Sequence, residues 1–305
     1  MRESYLLQKR SQYLTALDHA LWVGSASVYK SRARDGHAHC DWDAVPGGDV
    51  LEGVQSIHLV PPTPDITALP AWLATLPALR TLGLPYTFLP SLDAAKLPAK
   101  LACLQVIYDD ATAPRETWDQ TRYSGHVLPN VRGFFQLATN EPSTAWLGSG
   151  LRAEHLPGLE AWLSDLNGDE HALARVSELQ RVEYLALEAV RDAKVFESVP
   201  VSVEGLHLGL PTKAFSLSNI ARLHKLRYLR INGARFEVDC AHFVNAPQLI
   251  ELDILNSKKI KNVEALLECK QLKSVSFLDC AKPFKGPLKQ RFKDHGFDRL
   301  EIDFA

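Results

Sequence analysis

LRYLRI from Leu226, LIELDI from Leu249 and LKSVSF from Leu272 are three apolar-x-x-apolar-x-apolar strings, each starting 23 residues after the last. In such a string the fourth and sixth positions share one side of a short strand, because side chains alternate along it. The first position precedes the strand and packs beneath it. One strand of this kind cannot bury its apolar side alone, so copies must stack into a parallel sheet over a continuous core. Working outward, further copies are VEGLHL from Val203, VEYLAL from Val182 and FDRLEI from Phe297, then VQSIHL from Val54, LRTLGL from Leu79 and LACLQV from Leu101. Weaker copies start near Val131 and Leu159. Between strands, Ile260, Val263, Leu266 and Leu267 recur at three or four residues, as do Leu217, Ile220 and Leu223 one unit earlier. That spacing predicts a short helix or 3₁₀ turn returning along the convex side.

Composition agrees with a repeated packing unit. The 305 residues include 46 Leu against a single Met, with 46% hydrophobic and 23% charged residues. A net charge of −2 provides no global attraction to nucleic acid or anionic lipid. Five scattered Cys without a CxxC pair argue against a disulfide framework and a structural zinc site, and fit a reducing cytosol. The N-terminus MRESYLLQKRSQ is charged from its second residue and lacks the apolar core of a signal peptide. The uncharged stretch around Pro70 is too short and too broken by prolines to span a bilayer. A cytoplasmic protein without a membrane segment is expected.

The strings resemble the leucine-rich-repeat family, in its bacterial form of 22–23 residues per repeat. The resemblance covers about residues 51 to 304, is strong from 182 to 278 and is degenerate between 107 and 160. It implies an α/β solenoid with a parallel concave sheet, short helices or turns on the convex side, and a cap at each end. The family places Asn or Cys three residues beyond the last strand position, where the side chain bonds the backbone of neighbouring turns. Here those positions hold Ala234, Ser257 and Cys280. Only Cys280 fits that pattern, so a mostly absent ladder and less uniform curvature are expected.

Residues 1–50 lack the repeat and read as an N-terminal cap. Leu6, Tyr13, Leu14, Leu17 and Leu21 fall on one helical face, and GHAHCDWD follows as a short strand. Repeats occupy 51–283 with a polar insertion near 109–125, and 284–305 form a C-terminal cap with the last strand, closed by Phe292 and Phe297. The insertion carries Trp118 and Tyr123 flanked by Arg115 and Arg122, residue types that anchor interfaces.

The sequence contains no GxSxG, HExxH, Walker or GxGxxG motif. SVYK at Ser27–Lys30 matches SxxK, a pattern short enough to arise by chance. Some leucine-rich-repeat effectors carry a ubiquitin-ligase domain with a CxD nucleophile, but Cys240-Ala241-His242 and Cys280-Ala281-Lys282 do not match it. With no catalytic residues or cofactor indicated, the leading expectation is a non-catalytic module that binds another protein on the concave face. An inhibitor or immunity partner of a toxin and a scaffold are both compatible with it. On that face Glu160, Glu183 and Glu204 occupy equivalent positions, joined by Asp165 and Glu188. The sign then changes at Arg227 and Arg230, with Tyr184 and Tyr228 between. These residues, with Trp118 in the insertion, are the expected contact set for a partner carrying a basic patch.

Two other classes stay open. In GHAHCDWD, His37, His39, Asp41 and Asp43 share one face if the segment is a strand, and these are metal-ligand types that a metal-dependent enzyme would use. Between Leu255 and Arg299 there are 11 Lys and Arg against 5 Asp and Glu, a charge of +6. That basic segment is available to phosphates, although it lacks interleaved stacking aromatics and any nucleic-acid motif.

Overall fold

The computed structural model describes residues 20–26, 38–45, 51–63, 65–108, 122–138, 150–165, 176–188, 190, 195–280, 284 and 286–302. They fall into two compact units, one drawn from residues 10–165 and the other from 166–305. In the first unit the strands β1 (Leu21–Gly24), β2 (Ala38–Cys40), β3 (Ser56–Val60), β4 (Thr81–Pro85), β5 (Cys103–Tyr108), β6 (Gly133–Ala138) and β7 (Ala161–Asp165) are ordered β2-β1-β3-β4-β5-β6-β7. In the second unit β8 (Tyr184–Glu188), β9 (Gly205–Gly209), β10 (Tyr228–Asn232), β12 (Glu251–Leu255), β14 (Ser274–Leu278) and β15 (Arg299–Ile302) follow one another in chain order. Two short strands, β11 (Val238–Asp239) and β13 (Ile260–Lys261), pair separately from the main sheet. Every pairing within each unit is parallel. The weak copies at Val131 and Leu159 do form strands, β6 and β7.

Register stacks equivalent residues. Leu206, Leu229, Leu252, Val275 and Leu300 are successive partners, as are Leu208, Ile231, Ile254, Phe277 and Ile302. From Leu206 to Phe277 these residues are buried to within 1% of their surface. This is the fourth-and-sixth-position core that the repeat demands. The return path is mostly 3₁₀, as in Cys240–Asn245 and Val263–Glu268, with one-turn helix α1 at Val195–Ser198. Asp239 starts one such turn by accepting a hydrogen bond from the Ala241 N–H. After β14, helix α2 (Pro287–Asp294) buries Phe292 against Phe284, which in turn meets Phe277, with ring centroids 4.8 and 5.0 Å apart. Phe297 lies 5.8 Å from Phe292 and is half-buried.

The strand exits repeat too. The residue after β9, β10, β12 and β14 is left-handed in each case: Leu210 (φ 46°), Gly233 (68°), Asn256 (50°) and Asp279 (52°). The N–H groups of Leu210, Gly233 and Asn256 donate to the Asn232, Leu255 and Leu278 carbonyls at 2.7, 2.9 and 2.9 Å. One residue further on, the ladder is fuller than the sequence suggested. Ser257 Oγ accepts from the Ala234 N–H at 3.2 Å and donates to Leu255 O at 2.9 Å. Cys280 Sγ lies 3.1 Å from Ile254 O and 3.3 Å from Leu278 O. A buried hydroxyl therefore ties the turn after β12 to the turn after β10. Ser257→Ala is expected to cost about 1–3 kcal/mol, because the Ala234 N–H loses its partner inside the protein. A lowered urea midpoint at unchanged slope is the result to look for.

The N-terminal reading needs correction. Leu21 opens β1 rather than sitting on a helical face, and β1 inserts between β2 and β3, so the sheet begins 33 residues before the first repeat string at Val54. The β-forming run Leu21-Trp22-Val23 ending in Gly24 outweighs the helical spacing. The remaining residues of the proposed capping helix lie outside the described residues.

Candidate functional site

Away from the core, the middle of the sheet is closed. In the first unit Trp22, His58, Gly83, Gln105 and Phe135 lie in one register row, and the four side chains are no more than 7% exposed. Trp22 stacks on His58 with centroids 4.7 Å apart and planes at 14°. In the second unit the same row holds Ala186, His207, Arg230, Asp253, Ser276 and Glu301. His207, Asp253 and Ser276 are buried, Asp253 and Ser276 completely. Asp253 is held between two guanidinium groups, Arg230 Nη2 at 3.0 Å and Arg299 Nη1 at 3.2 Å. Arg299 also reaches Ser274 Oγ at 3.2 Å and Glu301 at 2.7 Å. Small Ser274 and Ser276 on β14 leave the room that lets Arg299 on β15 cross to Asp253 on β12. Arg230 was expected to face a partner; instead its side chain is 13% exposed and committed to Asp253. Tyr184 is likewise 2% exposed, held within the chain's own packing.

Exposure concentrates where the strands begin. The residue before each strand donates to its predecessor's carbonyl, giving the continuous row Glu183, Glu204, Arg227, Ile250, Lys273 in the second unit, with N–H···O distances of 2.8–2.9 Å. Glu183, Arg227 and Lys273 are exposed and Glu204 is half-buried. Glu204 pairs with Arg227 at 3.7 Å, and the Arg227 guanidinium lies over the Tyr228 ring, 5.4 Å from its centroid. In the first unit the corresponding row ends on Glu160, which is ion-paired and hydrogen-bonded to its neighbour Arg132. Glu183 and Glu204 are therefore adjacent like charges, and an arginine follows only on the outer side of Glu204. Each of Glu160 and Glu204 has an arginine in the adjacent position, as cross-strand repulsion favours. Glu188 sits at the other end of β8, half-buried, 3.9 Å from His207 Nε2.

The other candidates are placed as follows. Trp118 and His37 lie outside the described residues, as do 109–121 of the insertion. Tyr123 is structural: it is 9% exposed, donates to the His126 carbonyl and lies 5.1 Å from the His155 ring. The strand expected through GHAHCDWD stops at Cys40, and Asp41 opens a turn closed by the Ala44 N–H at 3.1 Å. Asp41 and Asp43 therefore do not share a strand face with His39, whose Nε2 is 2.9 Å from the Gly24 carbonyl. Among the described residues no group of three or more His, Cys, Asp and Glu is placed to hold a metal ion. In the basic segment, Lys261 is engaged by Glu237 at 2.6 Å and Asp239 at 3.5 Å, and Arg299 by Asp253. Lys258, Lys259, Lys270, Lys273, Arg291 and Lys293 are exposed. All five cysteines are free thiols. Burial pushes the Cys103 and Cys240 thiols well above the ordinary range, and Cys269 up to about 11, so they are inert at neutral pH. Among the described residues no helix is long and apolar enough to cross a membrane.

No protein-family profile and no curated protein sequence matches the chain. Among solved structures it is similar to internalin C2 of Listeria monocytogenes, at 16% identity over 57% of this chain and 72% of that one, with a TM-score of 0.39. It is also similar to the Listeria monocytogenes internalin inlF, at 14% identity over 88% and 78%, TM-score 0.46. A leucine-rich-repeat protein of Leptospira interrogans aligns over 100% of both chains at 13% identity, TM-score 0.38. What assigns the fold is the chain's own period. With an LxxLxL strand, a left-handed exit, a Ser or Cys bonding the neighbouring turn and a 3₁₀ return recurring every 23 residues, this is a leucine-rich-repeat fold.

Proposed function

We propose that the chain is a non-catalytic protein-binding module whose partner docks where the strands of the second unit begin. The observation that carries this reading is the in-register row Glu183, Glu204, Arg227, Lys273, held outward beside a sheet middle that is already closed. The row is dipolar: acids on β8 and β9, bases on β10 and β14. A partner presenting basic groups to Glu183 and Glu204 and acidic ones to Arg227 and Lys273 matches it, and Tyr228 supplies apolar area at the boundary. Because the sheet backbone fixes where these side chains project, docking loses their rotamer freedom but little backbone entropy. An inhibitor or immunity partner of a toxin and a scaffold are both compatible with such a surface. The free thiols support a reducing compartment, and we place the protein in the cytosol. The test is parallel affinity capture from the native cell with the full chain and with its Glu183→Lys/Glu204→Lys variant, read by mass spectrometry. A protein retained by the first and depleted tenfold or more with the second is the expected result. Identical recovery on both baits contradicts the reading.

A further inference from the structure

In the first unit the stack of return turns is broken at one place. Between β4 and β5 the chain makes 3₁₀ turns at Tyr86–Ser91 and Ala94–Lys96. Asp93 opens the second of these, its carboxylate accepting from the Ala95 N–H at 2.9 Å. Before β7 another turn spans Ala153–His155. Between β5 and β6, residues 122–132 hold no helix. This leg is nevertheless pinned on both sides. The Ser124 N–H donates to the Leu89 carbonyl at 3.1 Å, and the Ser124 hydroxyl donates to the Leu92 carbonyl. The Leu128 N–H donates to the His155 carbonyl at 2.8 Å, and Asn130 Nδ2 to the Ala99 carbonyl at 3.1 Å. With no turn to stack on Ala94–Lys96, a groove opens between residues 94–101 and 128–131, about 320 Å³ counting its open mouth. Its floor is Leu101, Leu128 and Val131, each 2% exposed. Half-buried Leu97 and exposed Ala99 stand at the rim, and Asn130 is the one polar residue among the described lining residues. Val127, beside this wall in the chain, is 49% exposed, so apolar surface continues past the rim. The basic residues interleaved with the first wall are Lys96 and Lys100, both exposed, and neither forms an ion pair among the described residues. The acid before them, Asp93, is half-buried at its capping position.

We infer that this groove is a docking pocket for one apolar side chain of an acidic partner segment, with the segment's carboxylates meeting Lys96 and Lys100. The apolar floor favours an apolar group by removing it from water. The two unpaired lysines favour carboxylates around it and repel a basic segment. Asn130, its nitrogen held by the Ala99 carbonyl, offers its oxygen to a backbone N–H of the segment. Because hydrogen bonds pin the leg that forms the second wall, the groove is built before the partner arrives. The site lies within the first unit and shares no residue with the row at the strand starts of the second, so its test does not need the partner proposed there.

The probe is a short fluorescein-labelled peptide in which a photo-leucine is flanked on each side by glutamates. One control replaces the glutamates by lysines, and a second replaces the photo-leucine by alanine. Fluorescence anisotropy with the full chain is expected to show the acidic peptide binding at least about tenfold tighter than its lysine twin, a preference weakened by salt. The alanine control is expected to bind about tenfold weaker or worse, the effect of losing one buried apolar side chain. Irradiation followed by digestion and mass spectrometry is expected to place the adduct on residues 94–101 or 127–131. Lys96→Glu/Lys100→Glu, at exposed positions that leave the thermal midpoint within a few degrees of wild type, is expected to reverse the preference for acidic flanks. Equal binding of the acidic and basic peptides, equal binding of the alanine control, binding of none, an adduct elsewhere on the chain, or a preference unchanged in the lysine variant overturns the inference. None of these outcomes bears on Glu183 or Glu204.

Discussion

Leu229→Asp is expected to abolish cooperative unfolding of the second unit. Leu229 has no exposed surface and stacks between Leu206 and Leu252 in register. The substitution removes a buried leucine, worth about 2–5 kcal/mol on its own, and leaves a carboxylate with no partner among apolar neighbours. A domain stable by roughly 5–15 kcal/mol does not absorb both. Calorimetry with near-UV circular dichroism reads the outcome. A thermal midpoint within a few degrees of wild type shows that Leu229 does not point inward and that the register is wrong.

The second large effect is expected at Asp253. This carboxylate is completely buried and meets Arg230 at 3.0 Å and Arg299 at 3.2 Å. Asp253→Ala leaves two guanidinium groups, each under 15% exposed, facing one another without the charge between them. Breaking a buried pair in this way costs about 3–5 kcal/mol, and here two pairs share one acid. Arg299 also ties in Glu301 at 2.7 Å, and that hydrogen bond, against the opposing effect of burial, holds the Glu301 carboxyl below its ordinary value. A carboxyl depressed on folding contributes stability that is complete above its unfolded pKa and is lost as pH falls through the folded one. Urea midpoints of wild type and Glu301→Gln are therefore expected to differ at neutral pH and to converge in acid. A constant difference across that range contradicts the linkage.

The contrast between Leu229 and Asp253 shows what a single chain makes legible. Strand positions and their inward residues follow from apolar spacing, because a period of two over a core leaves one register, and the exposure of Glu183 and Arg227 follows from the same alternation. The closed sheet middle does not follow. Whether Tyr184 or Arg230 faces solvent depends on what stands beside it on neighbouring strands, a relation among residues about 23 apart rather than within one string. Stacking the fifth positions as a column, His207, Arg230, Asp253, Ser276, Glu301, places opposite charges side by side and is the signal that finds the Asp253 network. The same stacking pairs Glu204 with Arg227 and Glu160 with Arg132, so an arginine flanks each of these acids. An Asn-or-Cys pattern does not mark Ser257, although its hydroxyl both accepts from the Ala234 N–H and donates to the Leu255 carbonyl. β1 is hard to see because Leu21 also fits a helical spacing with apolar residues earlier in the sequence.

Docking at the strand starts is tested most directly by association kinetics of the captured partner, purified, with wild type and with Glu183→Lys/Glu204→Lys at two salt concentrations. Both side chains lie outside the core, and the exposed Glu204–Arg227 pair contributes at most about 1 kcal/mol, so the variant stays folded. The predicted result is an association rate roughly tenfold lower for the variant at low salt, with the gap narrowing as salt screens the field. Equal rates and equal affinity at both salt concentrations would contradict docking at this edge.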